Sequence, residues 1–336
     1  MSTILVTGGA GYIGSHVARQ LVERGERIVV LDNLSTGFRD AVLGAPLVVG
    51  DVGDRALVDR VLAENGIDTV MHFAAHTVVP ESVSDPLKYY GNNTCATRSL
   101  LASCAAAGVS HFVFSSTAAV YGMPESGIAD ENTETLPINP YGSSKLMSEM
   151  MLRDLCAATS MRHVILRYFN VAGCDPSGRI GQSTPNATLL IKVACEHAVG
   201  LRPRLSVFGT DYRTPDGTCI RDYIHVDDLA RAHLDALDYL RGRGASIVFN
   251  CGYGHGYSVR EVIDAVERTS GRKLTVVDEP RRAGDPPMLI ARSERLSETL
   301  GWRPQHDDLD FIVRTALAWE HKRAAATERP ISEGTP

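Results

Sequence analysis

In the first half of the chain, short continuous apolar runs alternate with windows of helical period: ILVTG, then 12–24; RIVVLD; PLVVG, then 54–64; TVMHFA, then a helix near 93–107; HFVFSS, then 141–158; and HVILRYF. Strand and helix in strict turn predict a parallel sheet with crossover helices on both faces, a doubly wound α/β fold. Runs that are continuously apolar instead of alternating fit strands buried on both faces. Past Phe169 the pattern breaks into Gly- and Pro-containing stretches, among them GCDPSGRIG and GTDYRTPDGTC, separated by helical windows at 187–198, 226–241, 259–269 and 307–325. These predict a second, smaller α/β lobe. SIVFNCG at 246–252 has the composition of a further strand and is expected to return to the main sheet. The expected division is residues 1–175 with a return of about 225–252 in the first lobe, and mainly 176–336 in the second. Only the tail from about Thr327, ERPISEGTP, is expected to be loose.

Composition narrows the function. With 336 residues, 44% hydrophobic and 22% charged, the chain can bury a large core. A formal net charge of −6 argues against a general nucleic-acid binder, so an anionic ligand must be met by local arginines and backbone amides. The start, MSTILVTGG, has no basic region followed by an apolar run, and no window approaches the roughly 18 apolar residues of a membrane span. The expectation is a cytoplasmic protein without membrane contact. Seven scattered cysteines with no C-x-x-C spacing disfavour both a disulfide framework and a metal site.

Gly8, Gly11 and Gly14 in TGGAGYIGSH follow the first predicted strand and open a helix. Glycines in that setting let the backbone turn tightly and approach a pyrophosphate, while the helix N-terminus offers unpaired N–H groups; this is the Rossmann arrangement. The next strand ends at Asp32, about 20 residues further on, where a carboxylate can accept from an adenosine ribose and would repel a 2′-phosphate. NAD is thus expected over NADP. Asp51, after the third strand, suits either the adenine end of the cofactor or a helix N-cap.

Tyr141 and Lys145 in NPYGSSK stand four apart on a helix that Asn139 and Pro140 start, so they share a face. An ammonium beside a phenol favours the phenolate, which makes Tyr141 a feasible base for a hydroxyl proton. The spacing alone is common; its place, one crossover after a strand ending in Ser115, Ser116 and Thr117, gives it weight. In a doubly wound sheet that strand end opens on the ligand crevice, where Thr117 can hydrogen-bond a sugar hydroxyl or simply end a strand.

The chain resembles the extended short-chain dehydrogenase/reductase superfamily, and within it the UDP-glucose (UDP-galactose) 4-epimerases. The resemblance runs through TGGAGYIGSH, HFAA, YYGNN, FSSTAAVYG, PYGSSK, RYFN, FGTDYRTPDGTCIRDYIHVDDLA and PRRAGDPP, the TPDGTCIRDYIHV stretch being the specific part. It implies that Tyr12, Ile13, Asp32, Asn33, Ser35, Gly37, Asp51, Val52, Phe73, Ala74, Ala75, Asn93 and Phe169 line an NAD site with the three glycines. It further implies Tyr141 as base, Lys145 on the nicotinamide ribose and Thr117 at the sugar hydroxyl. Asn170, Leu189, Leu190, Phe208, Arg221, Arg282 and Asp285 would hold the UDP-hexose. Locally, two arginines can clamp a diphosphate and Phe208 can pack near a uracil. The implied reaction oxidises the sugar at C4, turns the bound 4-ketose over and reduces its other face.

Family dehydratases place Asp and Glu directly after the strand-end threonine, where this chain has Ala118 and Ala119. That favours epimerisation over elimination, with another nucleotide-sugar epimerase, a 4,6-dehydratase and a non-catalytic NAD-binding protein as alternatives. His76 and Thr77 stand where some members carry a lysine, and Leu189 where members often carry Asn or His. Leu289 aligns with a position that influences whether an N-acetyl group fits. The superfamily also implies a homodimer through the helices near 93–107 and 141–158. Cys219 and His225 have no independent role in this reading.

Overall fold

The computed structural model describes residues 2–185, 187–282 and 284–327; the tail expected to be loose lies, beyond Thr327, outside the described residues. Seven strands form one sheet: β1 Thr3–Thr7, β2 Arg27–Asp32, β3 Leu47–Val49, β4 Ile67–His72, β5 His111–Ser115, β6 Arg162–Tyr168 and β7 Ile247–Cys251. Their spatial order is β3-β2-β1-β4-β5-β6-β7, and every neighbouring pair is parallel. The chain order reverses between β1 and β4, so a crevice opens there at the carboxyl ends of the strands. β7 is the returning strand that SIVFNCG predicts, and it pairs from Ile247↔Val164 to Cys251↔Tyr168.

The longer helices in chain order are α1 Tyr12–Glu23, α2 Arg55–Asn65, α3 Ala96–Ala107, α4 Pro140–Ala158, α5 Leu190–Ala198, α6 Val226–Arg241, α7 Val259–Ser270 and α8 Leu309–Thr327. Successive side chains on a strand point to opposite faces, which is why fully apolar strands suit this sheet. Ile4, Val6, Val30, Met71 and Leu166 pack one way with Val17 and Leu21 of α1 and Leu229 and Leu237 of α6. Leu5, Leu31, Val70, Phe112 and Ile165 pack the other way with Val58 of α2, Leu100 of α3 and Leu152 of α4. A separate cluster joins Ile191 and Cys195 of α5, Val262 and Val266 of α7, and Ile312 and Leu317 of α8.

Two differences from the sequence reading bear on the site. The helix near 93–107 is entered through a π-helical stretch, Tyr90–Cys95, and α5 begins at Leu190 instead of 187. Residue 189 is extended, which frees the preceding residues to serve as wall. Among the described residues no helix is long and apolar enough to cross a membrane.

Candidate active site

A cleft of about 840 Å³ runs along the carboxyl ends of the strands, from Gly8 and Asp32 at one end to Arg221, Asp285 and Leu289 at the other. The glycine motif divides its labour by space. A Cβ on Gly8, where φ is +70°, would lie 2.5 Å from the Ala74 nitrogen, and one on Gly14 would lie 2.3 Å from the Gly8 carbonyl oxygen. Both glycines are therefore required by the protein's own packing. A Cβ on Gly11 would meet only that carbonyl oxygen, at 3.2 Å. Gly11 is also the N-cap of α1 and provides no side-chain cap, so the helix presents its amide end to the cleft.

Asp32 closes the turn. Its carboxylate accepts from the Ala10 amide at 2.9 Å and the Leu34 amide at 2.8 Å. Asp51 accepts from the Gly53 amide at 2.7 Å and from Asn33 Nδ2 at 3.0 Å, which joins the loops after β2 and β3. Two carboxylates at this end and an open helix N-terminus beside them fit a dinucleotide's ribose and pyrophosphate.

At the chemical end, Asn139 Oδ1 accepts from the Gly142 amide at 2.9 Å and caps α4, with Pro140 in its first turn. A Cβ on Gly142 would fall 2.5 Å from the Ala119 carbonyl oxygen, so glycine lets the helix start press against the turn Ala118–Tyr121. That approach sets Tyr141 beside Thr117, both on the cleft wall. Burial pushes the Tyr141 phenol well up, the neighbouring Tyr168 adds to the rise, and the Thr117 hydroxyl offsets part of it. Lys145 is buried with its Nζ 4.6 Å from the centre of the Phe114 ring, and burial pushes its own ammonium down to about 7 while Glu149 pulls it up.

Beneath this pair is a buried polar network. Glu149 is bidentate with Arg167, Nε to Oε1 at 3.0 Å and Nη2 to Oε2 at 2.6 Å, and accepts from Ser116 Oγ at 2.6 Å. Arg167 also donates to Tyr121 OH at 3.0 Å, which donates to Asn250 Oδ1 at 2.7 Å.

Most of the residues singled out from the sequence lie on the cleft wall: Gly8, Gly11, Tyr12, Ile13, Gly14, Asp32, Asn33, Ser35, Asp51, Val52, Phe73, Ala74, Ala75, Thr117, Tyr141, Phe169, Asn170, Leu189, Arg221 and Asp285. Arg221 and Asp285 stand 3.7 Å apart as an ion pair. Others sit off the wall. Gly37 packs on the Ala10 backbone, and Asn93 is buried, holding the His76 amide at 2.8 Å and Ser144 Oγ at 3.1 Å. Arg282 lies 3.7 Å over the Phe208 ring, and Leu190 faces a small adjoining cavity lined also by Lys192 and Trp319.

Residues 4–252 match the NAD dependent epimerase/dehydratase family. The chain belongs to that family. A curated relative, the UDP-glucose 4-epimerase of Azospirillum brasilense, is 59% identical over 318 residues, 94% of this chain and 91% of the relative. Among solved structures, the UDP-glucose 4-epimerase of Brucella ovis in complex with NAD is 45% identical with a TM-score of 0.92, covering 95% of this chain and 98% of that one. The enzyme from Bifidobacterium longum in complex with NAD+ and UDP is 39% identical with a TM-score of 0.92, covering 96% and 99%.

Within the NAD dependent epimerase/dehydratase frame, the cleft has wall residues that spacing did not single out. Ile138, Asn139 and Tyr168 are legible afterwards as neighbours of PYGSSK and RYFN, whereas Gln182, Thr184, Pro185 and Thr188 come from a loop with no period. His225 is structural: its Nδ1 accepts from the Asp227 amide at 3.1 Å to cap α6, and its ring packs 4.7 Å from His306. Cys219 is buried.

Proposed function

We propose that this protein interconverts UDP-glucose and UDP-galactose by reversible oxidation at C4 of the hexose, with bound NAD as cofactor. The observation that carries the reading is the chemical end of the cleft, where Tyr141 meets Thr117 and the next two wall positions are Ala118 and Ala119. An elimination needs an acid and a base beside the threonine, and alanines supply neither. The names of the relatives support the same substrate.

NAD, when bound, supplies a two-electron acceptor that is restored within each turnover. The residues fitted to hold it are Gly11 with the α1 amide end, Asp32 for the ribose, Asp51 and Asn33 near the adenine, and Lys145 below the nicotinamide end. As phenolate, Tyr141 takes the proton of the sugar 4-hydroxyl, with Thr117 hydrogen-bonded beside it, and gives the proton back after the ketose has presented its other face. Turning requires the nucleotide to be held more firmly than the hexose. Arg221, with Arg282 on its Phe208 platform, suits the diphosphate and uracil, while Asn170 and Leu189 face the sugar. Residues 1–175 with 225–252 would act as the cofactor lobe and the remainder mainly as the substrate lobe. A homodimer is supported by Met147 and Met150 of α4, 45% and 54% exposed. Seven free cysteines support a reducing, cytoplasmic setting.

The test is incubation of purified protein with UDP-galactose, without added reductant, and chromatography for UDP-glucose, with Tyr141→Phe alongside and UDP-N-acetylgalactosamine as second substrate. Interconversion that Tyr141→Phe abolishes supports both reaction and base. Product from the acetylated sugar widens the range, and no product from NAD-replete protein overturns the reading.

A further inference from the structure

The sugar side of the cleft has a wall that does not hold itself. Gln182, Thr184, Pro185, Thr188 and Leu189 line it, and none of them belongs to a helix or strand. A segment without its own backbone ladder is ordered by contacts from outside, and a ligand that must order it binds more weakly.

Those contacts come from the last helix. Trp319 on α8 donates from Nε1 to the Gln182 carbonyl oxygen at 3.2 Å. One residue earlier, a Cβ on Gly181 would lie 2.5 Å from Cγ and 2.7 Å from Cδ1 of the same indole, so the chain enters the wall pressed against that ring. One helical turn before Trp319, Thr315 holds the other side of the bend. Its Oγ1 accepts from the Cys174 amide at 3.3 Å, and Cys174 bridges to Gly181. The far end of the segment is tied to the same helix through charges. The Ala187 carbonyl oxygen accepts from Arg202 Nη2 at 3.2 Å, and Arg202 Nε reaches Glu196 at 2.5 Å. Buried Lys192 then joins Glu196, at 3.0 Å, to Glu320, the residue after Trp319, at 2.6 Å. The small cavity behind the wall is bounded from the cleft side by Asn170, Gln182 and Leu189 and from α8 by Trp319 and Glu320.

We propose that Trp319 is a positioning residue for the hexose: from outside the cleft it fixes the wall segment 182–189 against which the sugar is held. The proposal rests on the reading of the cleft as a UDP-hexose site. It divides the substrate in two, because the groups fitted to the diphosphate and uracil, Arg221 and Arg282 with Phe208, lie on other parts of the chain. Loosening Trp319 therefore weakens the hold on the sugar and leaves the hold on the nucleotide as it was.

Two variants test this from opposite sides of the contact. Trp319→Phe keeps the Cγ, Cδ1 and Cδ2 positions against Gly181 and removes only the Nε1 donor side of the indole. Gly181→Ala leaves Trp319 in the chain and drives a methyl into its ring. On each NAD-replete protein, Kd for UDP and for UDP-glucose, kcat and KM for UDP-galactose, and melting temperature are measured. A third readout needs no substitution in the wild-type chain. With 5-fluorotryptophan incorporated, the two tryptophans give two fluorine resonances, assigned by Trp319→Phe. Trp302, whose Nε1 donates to the Asp228 carbonyl oxygen at 3.1 Å away from the cleft wall, is the internal control.

In both variants, Kd for UDP-glucose and KM for UDP-galactose are expected to rise about fivefold, the weight of one net hydrogen bond, while kcat and Kd for UDP change less than about twofold. In the wild type, UDP-glucose is expected to shift the Trp319 resonance and UDP to leave it in place. Equal weakening of UDP and UDP-glucose, or a fall in melting temperature with every constant unmoved, overturns the proposal and leaves Trp319 as a packing residue. A Trp319 resonance that does not distinguish the two ligands overturns it as well. A wild-type protein that binds neither UDP nor UDP-glucose defeats the functional reading and this proposal with it, whereas one that binds both and whose variants match it defeats this proposal alone.

Discussion

At the scale of single residues, the glycine motif yields a contrast that separates folding from binding. Gly8→Ala puts a side chain at φ +70° and 2.5 Å from the Ala74 nitrogen, so a loss of a few kcal/mol and several degrees of melting temperature is expected. Gly11→Ala meets only one carbonyl oxygen, at 3.2 Å, and its φ of −80° suits alanine. Its cofactor-free melting temperature should stay within about 2 °C while NAD affinity falls about tenfold or more, because the added methyl occupies the pyrophosphate's approach. Calorimetry and NAD titration distinguish the two, and equal affinity in Gly11→Ala would contradict the placement. Tyr141→Phe removes only the phenol oxygen and is expected to lower kcat by roughly 10²–10⁴-fold with little change in stability. These residues were legible because rigid chemistry fixes their spacing: a tight turn needs glycine at set offsets, and a helix puts positions four apart on one face. The burial of the pair was not legible. Lys145 is enclosed over the Phe114 ring and Tyr141 is buried beside it, and no spacing encodes that.

For whole elements, the cap of α4 carries most weight, since the helix start and the reacting phenol are neighbours in the chain. Asn139→Ala removes the bond to the Gly142 amide and is expected to cost about 1 kcal/mol, with a fall of a few degrees in melting temperature. Because the fraying is local to Tyr141, kcat should fall by more than the loss of folded protein explains, and Asn139→Asp, which keeps the acceptor, should restore both. Equal losses in the two variants would show that the cap does not set the phenol. Element boundaries followed the sequence where caps and period agreed: α6 runs Val226–Arg241 as its apolar pattern indicates, behind the His225 cap. They departed where the chain leaves its period to build the site. Ala187 and Leu189 carry apolar side chains that continue a helical pattern, yet they form cleft wall before α5 begins. The π-helical Tyr90–Cys95 inserts no polar mark that a 3.6-residue pattern could register.

Across the molecule, five buried histidines shape the acid limb of stability. Burial pushes His16, His163 and His233 down to about 4, His72 to about 3 and His225 well below its ordinary value. In the unfolded chain each titrates near 6.5, so between roughly pH 6.5 and 4 the unfolded state binds more protons. The stability that these rings contribute is therefore complete above that range and is lost as the pH falls, by up to about 1.4 kcal/mol per histidine and pH unit. Asp222 opposes this. Burial raises its carboxyl to about 6 against the lowering pull of the Tyr253, Gly254 and Ala291 amides, so it favours the fold at low pH; burial raises Asp227 and Asp235 likewise, three carboxyls against five rings. The melting temperature should decline steadily as the pH falls from 6.5 toward 4. A flat profile through that range would mean that these rings are accessible to solvent.

The late return of β7 has a further consequence during synthesis. The strands that the amino-terminal 168 residues provide leave β6 unpaired on its outer side, and α6, which covers α1's face of the sheet, is encoded later still. A nascent chain that has emerged as far as Tyr168 therefore exposes a bare strand edge and an uncovered hydrophobic layer on one face. The layer waits for Arg241 and the edge for Cys251 to leave the ribosome, so a stall in the intervening stretch holds the protein in its most adhesive form.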